Sequence, residues 1–225
     1  MFGILESIEP FKLLLALLPL VGYLLVLSLI RLSGHALVTT GGRDTAALAM
    51  AISGLVAIGP VELFFPTAAA AVFGPAVWAA LATFYALCTT LIALTTTPRL
   101  VVYGRTPEEL FEPLLAAARE IDPQSVGDAS SLQVRLPSAG LHVRLDGPRS
   151  FDHAQVLAFE PNVSPRVWSQ LLVGLRKHLG LKATPLPRRG FAMLTVVILL
   201  GFLVLWQSLG NRELVVEGFR NWLWR

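Results

Sequence analysis

Glu62 is the single carboxylate within the long apolar blocks of this 225-residue chain. An ionisable group in that setting is the kind that binds an ion or relays a proton, because an idle charge in hydrocarbon is strongly disfavoured. Pro60 and Pro66 flank it, and prolines near a helix end leave carbonyl groups open as ligands in broken-helix hairpins. A plainer reading comes first. Glu62 lies a few residues from the end of its apolar block, at headgroup depth, where water reaches the carboxylate from outside and the cost of a charge falls.

The run Thr39-Thr40-Gly41-Gly42-Arg43-Asp44 has the glycine pair of a phosphate-binding turn at a helix start. It lacks the Lys-Ser/Thr pair of a P-loop, and no strand is expected before it. It is expected to be a glycine-rich turn in which Asp44 caps the next helix. The histidines are scattered: His35 in a membrane-side loop, His142 on the polar face of a strand, His153 beside Asp152 in a loop, and His178 in the last turn of a helix. No pair has the i, i+4 spacing of a helical zinc motif. Ser150, Asp152 and His153 are too close in sequence for triad geometry, and no nucleophile elbow accompanies them. Cys88, the only cysteine, forms neither an intrachain disulfide nor a cysteine metal site, and reads as a small apolar packing residue. No catalytic set, metal or cofactor is expected from these residues.

Apolar helices must position them. The chain is 54% hydrophobic and 15% charged, where a soluble globular chain carries about 25% charged residues. The apolar excess falls in a few long blocks, and four membrane-spanning helices are expected, at about 13–30, 45–65, 72–94 and 191–208. The first, bounded by Lys12 and Arg31, is about 27 Å long at ~1.5 Å per residue, close to a hydrocarbon core of about 30 Å. It is not expected to be a cleaved signal. Glu6 and Glu9 precede it, and no small-residue cleavage site follows Arg31, while the run exceeds the usual apolar region of a signal peptide. Spans two and three have Pro60, Pro66 and Pro75 in their connection and form a tight hairpin that either crosses fully or is re-entrant. On the third, Ala76, Ala79, Thr83, Ala86, Thr90 and Ala93 recur at steps of three and four. Such a face lets helix backbones approach closely, first within the chain and second in a homo-oligomer.

Basic residues near the membrane ends gather in the first loop (Arg31, Arg43) and around the segment 99–187 (Arg99, Arg105, Lys182, Arg188, Arg189). The positive-inside rule puts both on the cytoplasmic side and both termini outside. Richness in arginine, alanine, leucine and proline goes with a bacterial inner membrane. Residues 1–98 are therefore expected to form a membrane region, 99–187 a cytoplasmic domain, and 188–225 the last span with an amphipathic tail. In that tail Leu214, Val215, Phe219, Trp222 and Leu223 share a stripe suited to the outer interface.

The segment 99–187 reads as a small α+β domain of order β-α-β-β-β-α. Leu100–Tyr103 is a strand, and Thr106-Pro107-Glu108-Glu109 opens a helix with a capping box that Asp122-Pro123 ends. Residues 132–136 and 141–145 alternate strictly, as a half-buried hairpin requires. A third strand follows at 154–159, and Ser164-Pro165 opens a second amphipathic helix with Arg176, Lys177 and His178 in its last turn and Gly180 at its end. Two helices are expected to cover one face of the sheet.

Arg135 and Arg144 fall on the solvent side of the hairpin, Arg149 follows, and Arg188 and Arg189 stand at the membrane. They are either a solvated face or one that meets anionic lipid or a partner. Basic and acidic residues nearly balance, so nucleic acid is not an expected partner; the lipid bilayer, a membrane-protein partner and a second copy of the chain are. The first functional expectation is a non-enzymatic integral membrane protein whose cytoplasmic domain docks a partner or the membrane surface. The second is a transporter or channel component using the Glu62 hairpin, and the third a membrane enzyme whose site assembles from scattered residues.

Overall fold

The structure, a computed structural model, describes residues 9–59, 72–74, 76–148, 152–160, 162–180 and 187–223. Its elements, in chain order, are α1 (Pro10–Ser33), β1 (Leu37–Thr40), α2 (Gly41–Ile58), α3 (Ala76–Thr95), β2 (Arg99–Tyr103), α4 (Pro107–Ile121), β3 (Val126–Asp128), β4 (Gln133–Leu136), β5 (Leu141–Asp146), β6 (His153–Ala158), α5 (Pro165–Gly180), α6 (Pro187–Gly210) and α7 (Arg212–Leu223). The chain forms two compact units, one of Met1–Leu27, Thr45–Ile92 and Ala192–Arg225, the other of Ser28–Asp44 and Ala93–Phe191.

The first unit is helical. Among the described residues three helices are long and apolar enough to cross a membrane: α1 (24 residues, mean hydropathy 2.7), α3 (20 residues, 1.9) and Gly190–Gly210 of α6 (21 residues, 2.2). That is one fewer than expected. Arg43 and Asp44 stand in the first turn of α2, so its apolar part runs from Thr45 to Ile58, about 21 Å at ~1.5 Å per residue. The expected continuation to 65, with Pro60, Glu62 and Pro66, lies outside the described residues.

Small and aromatic residues make the helix contacts. A Cβ on Gly54 would stand 1.9 Å from the Leu15 carbonyl oxygen, so α1 and α2 touch backbone to side-chain-free backbone. The Tyr85 hydroxyl of α3 donates to the Ala49 carbonyl of α2 at 2.7 Å, and Gly201 of α6 faces Val21 of α1. Helix α7 packs on the bundle through Trp222, which stacks on Trp78 at 3.9 Å and lies 5.9 Å from the Phe11 ring. Ala76, Ala79, Thr83, Ala86 and Thr90 are exposed and Ala93 half-buried, with the Thr83 and Thr90 hydroxyls turned back to Ala79 and Ala86 carbonyls.

The second unit is an α+β fold on a six-stranded, wholly antiparallel sheet of order β1-β2-β6-β5-β4-β3. The expected order β-α-β-β-β-α captures its middle and omits both edge strands. β1 comes from the first loop, and β3 from the connection after α4. The hairpin pairs Val134 with Val143 and Leu136 with Leu141, closing through a turn in which Gly140 adopts φ +60, a conformation that favours glycine.

Helices α4 and α5 cover one face, where Leu100, Val102, Leu136, Val143 and Val156 meet Leu110, Leu114, Leu171 and Leu175 in one buried cluster. The capping box forms at α4: the Thr106 hydroxyl accepts from Glu109 N–H and the Glu109 carboxylate from Thr106 N–H. At its other end the Asp122 carboxylate accepts from the Ser138 and Gln124 N–H groups and the Ser138 hydroxyl, tying the helix end to the β4–β5 turn. Burial works to raise its pKa, and the bonds from Ser138 and Gln124 outweigh that and hold it below the ordinary aspartate value. Arg176 is more than a helix-end charge. Its guanidinium donates twice to the Val38 carbonyl of edge strand β1, at 2.8 and 3.3 Å.

Candidate functional site

Antiparallel pairing sends directly opposed residues to the same side of a sheet, so the register defines the face that α4 and α5 leave bare. It carries Leu37 opposite Tyr103 and Tyr103 opposite His153, then Thr39, Val101 and Gln155 across the same three strands. Farther along come Arg144 opposite Leu157, Gln133 opposite Arg144, Arg135 opposite His142, and Val126 opposite Arg135.

The two ends of this face differ. At the β1-β2-β6 end Val101 is wholly buried, and Tyr103 and Asp44 nearly so. The Tyr103 hydroxyl donates to Asp44 Oδ1 at 2.5 Å, and the His153 ring lies 5.2 Å from the Tyr103 ring. Burial pushes His153 below the ordinary imidazole value; Asp44 opposes this, and Arg31 and Arg99 add to it. Four expectations change here. Asp44 sits inside the first turn of α2 rather than capping it, and its carboxylate serves Tyr103. His153 opens β6 rather than lying in a loop. A strand does precede the glycine pair, since β1 runs directly into Gly41. Arg31 and Arg99, expected only as membrane-end charges, belong to this cluster.

Next to it, a cavity of about 20 Å³ is lined by Arg31, His35, Glu109 and Asp152. That is room for about one water molecule and too little for an organic substrate. Among the described residues no group of three His, Cys, Asp or Glu side chains is placed to hold a metal.

The β5-β4-β3 end is open. Arg135, Arg144, Asp128 and Asp146 are exposed, and Val126 is 65% exposed. Beside it a hollow of about 380 Å³ is lined by Glu108, Ser130, Ser131, Gln133, Arg144 and Asp146. Asp128 accepts from the Ser130 and Ser131 hydroxyls and the Ser130 N–H, which bring its pKa down to about 2.

Of the residues singled out in the sequence, Arg135 and Arg144 are thus brought together on one face. Pro60, Glu62, Pro66, Arg149 and Ser150 lie outside the described residues, and Arg188 and Arg189 are in the first turn of α6. The Asp44–Tyr103 pair had no sequence signal, since 59 residues separate the two. No protein-family model matches this chain, nor does any curated protein or solved structure.

Proposed function

We propose that this is a four-span bacterial inner-membrane protein, without an enzymatic activity of its own, whose cytoplasmic α+β unit docks a protein partner on the open end of its bare sheet face. The observation that carries the reading is the contrast along that face. The same sheet surface that is closed at Val101 and Tyr103 is open at Arg135, Arg144 and Val126, with two arginines, two carboxylates and an apolar side chain presented together. A mixed polar surface around an apolar residue suits a non-obligate protein contact better than an anionic membrane, which favours a single sign of charge.

Support for the fourth span comes from packing. Gly54 near the end of α2 meets Leu15 near the start of α1, and Trp222 joins the starts of α1 and α3. Helices α1 and α2 therefore run in opposite directions, and α1 and α3 start at one end of the bundle, as four alternating crossings require. With the basic first loop and domain borders inside, both termini fall outside.

The test is site-specific photo-cross-linking in native membranes. A photoreactive residue replacing Gln133 or His142 on the open face should capture one reproducible protein, while one replacing Gln170 on α5 should not. Capture only of further copies of this chain, or equal capture from α5, would sink the proposal.

A further inference from the structure

One row of side chains crosses the open end of the bare face. The Phe159 N–H donates to the His142 carbonyl at 2.9 Å, so Phe159 continues the β5–β6 register one step past Ala158 and lies opposite His142. His142 is opposite Arg135, and Arg135 is opposite Val126. Directly opposed residues share a side of the sheet, and the row therefore runs Phe159, His142, Arg135, Val126. Both of its ends are apolar and open, with Phe159 55% and Val126 65% exposed. The Phe159 ring is braced by the His142 ring at 5.0 Å.

Charge is sorted across this surface. Arg135 sits in the row, and Arg144 is its diagonal neighbour on β5, about 7–8 Å away. Neither guanidinium has a hydrogen bond or ion pair among the described residues. The carboxylates at the two ends of the row are already engaged: Glu160 accepts from the His142 N–H at 3.0 Å, and Asp128 accepts from Ser130 and Ser131. Asp146 stands four residues along β5 from His142, about 13 Å, and with Glu108 it lines the hollow beside Arg144. An incoming carboxylate therefore meets least opposition at Arg135, and Arg144 adds a second cation beside it.

We infer that this row receives an extended segment of the partner protein in which an acidic residue stands two positions from an apolar residue on either side. The inference rests on the docking reading and names what the partner must present. Spacing decides the conformation. Three gaps between strands separate Phe159 from Val126, about 14 Å at ~4.8 Å each. In an extended chain, side chains on one side recur every second residue, so positions i and i+4 are about 13 Å apart and i+2 falls between His142 and Arg135. In a helix, about 14 Å is nine or ten residues, which turns the second apolar side chain away from the sheet. The acid accepts from Arg135 in a charge-assisted bond, and the two apolar side chains cover Phe159 and Val126.

The experiment is selection from a random peptide library displayed on phage, against the full chain in lipid nanodiscs after clearing on empty nanodiscs. Peptides enriched on the wild type should carry Asp or Glu with apolar residues two positions to either side. Arg135→Glu should reverse the central preference to Lys or Arg. Arg135→Gln should weaken a synthetic peptide of the enriched sequence about fivefold, the upper worth of one exposed ion pair. Val126→Ser should remove the apolar preference at one end only, and Gln170→Glu on α5 should change nothing. No enrichment, enrichment without the acid, or an unchanged pattern on Arg135→Glu overturns the inference. If a photoreactive residue at position 133 still captures one protein, the docking reading survives that failure; if it captures none, both fall.

Discussion

Leu136 and Arg135 are neighbours in one strand and have nothing else in common. Leu136 is wholly buried under α4 and α5, and Arg135 stands exposed on the face those helices leave bare. The pleat sends alternate residues to opposite sides, so β4 contributes to stability through one set of side chains and presents a surface through the other. The β1-β2-β6 end of the sheet does not keep this division. There the bare face is also closed, over Val101, Tyr103 and Asp44, and polar groups are held inside. One sheet therefore combines a purely apolar face, a closed polar end and an open polar end.

The largest effect should come from the apolar face. Leu136→Ala removes a side chain from a fully packed site and should lower the opening free energy of β4 and β5 by about 2–5 kcal/mol, read by hydrogen exchange on the solubilised full chain. Protection of α1 and α6 should not change; a matching loss there would show that the two units do not open independently.

Next is the closed polar end. Tyr103→Phe leaves the buried Asp44 carboxylate without the hydroxyl that serves it and should cost about 1–3 kcal/mol, seen as lost exchange protection in β2 and β6. An unchanged β2 would mean the pair is incidental and that end of the face is held by Val101 alone.

At the open end, acid is the probe. Asp128 has a folded value depressed to about 2 from 3.8, so its contribution is complete above about 4 and is lost as pH falls through about 2. The turn after β3 should therefore loosen over that interval, as followed by the Ser130 and Ser131 amide resonances. Replacing both serines with alanine should move the transition back toward 3.8. Smallest of all is the effect of Arg135→Gln on stability, within about 0.5 kcal/mol, alongside loss of the partner captured from position 133. A large drop in stability from this substitution would erase the distinction between the two faces.

Much of this was legible along the chain. Strict alternation through Leu132–Leu136 and Leu141–Leu145 gave both the hairpin and its facing, because a half-buried strand has a two-residue period that nothing else imitates. Thr106 and Glu109 announced the α4 start because a capping box is local by construction. β1 was not legible. Its four residues include two threonines ahead of a glycine pair, and only pairing with β2, far along the chain, makes Leu37–Thr40 a strand. The Asp44–Tyr103 and Arg176–Val38 contacts were hidden for the same reason: each joins residues 59 or 138 positions apart, and no local pattern encodes such a meeting. The bare face was partly readable, as Arg135 and Arg144 fall on the solvent side of the hairpin, but its division into a closed and an open end depends on the closure at Val101 and Tyr103.

Strand β1 also sets a constraint on how the molecule is made. It leaves the ribosome before α2 and α3, yet its pairing partner β2 follows both. At about 5–20 residues per second the delay over some sixty residues is about 3–12 s. A four-residue strand is a poor template for intermolecular pairing during that wait. Arg176 is synthesised later still, so it seals the Val38 carbonyl only once α5 has arrived. Completion of the sheet therefore reports that α2 and α3 have already been made, and a chain that stops before β2 carries an unfinished edge at Leu37–Thr40.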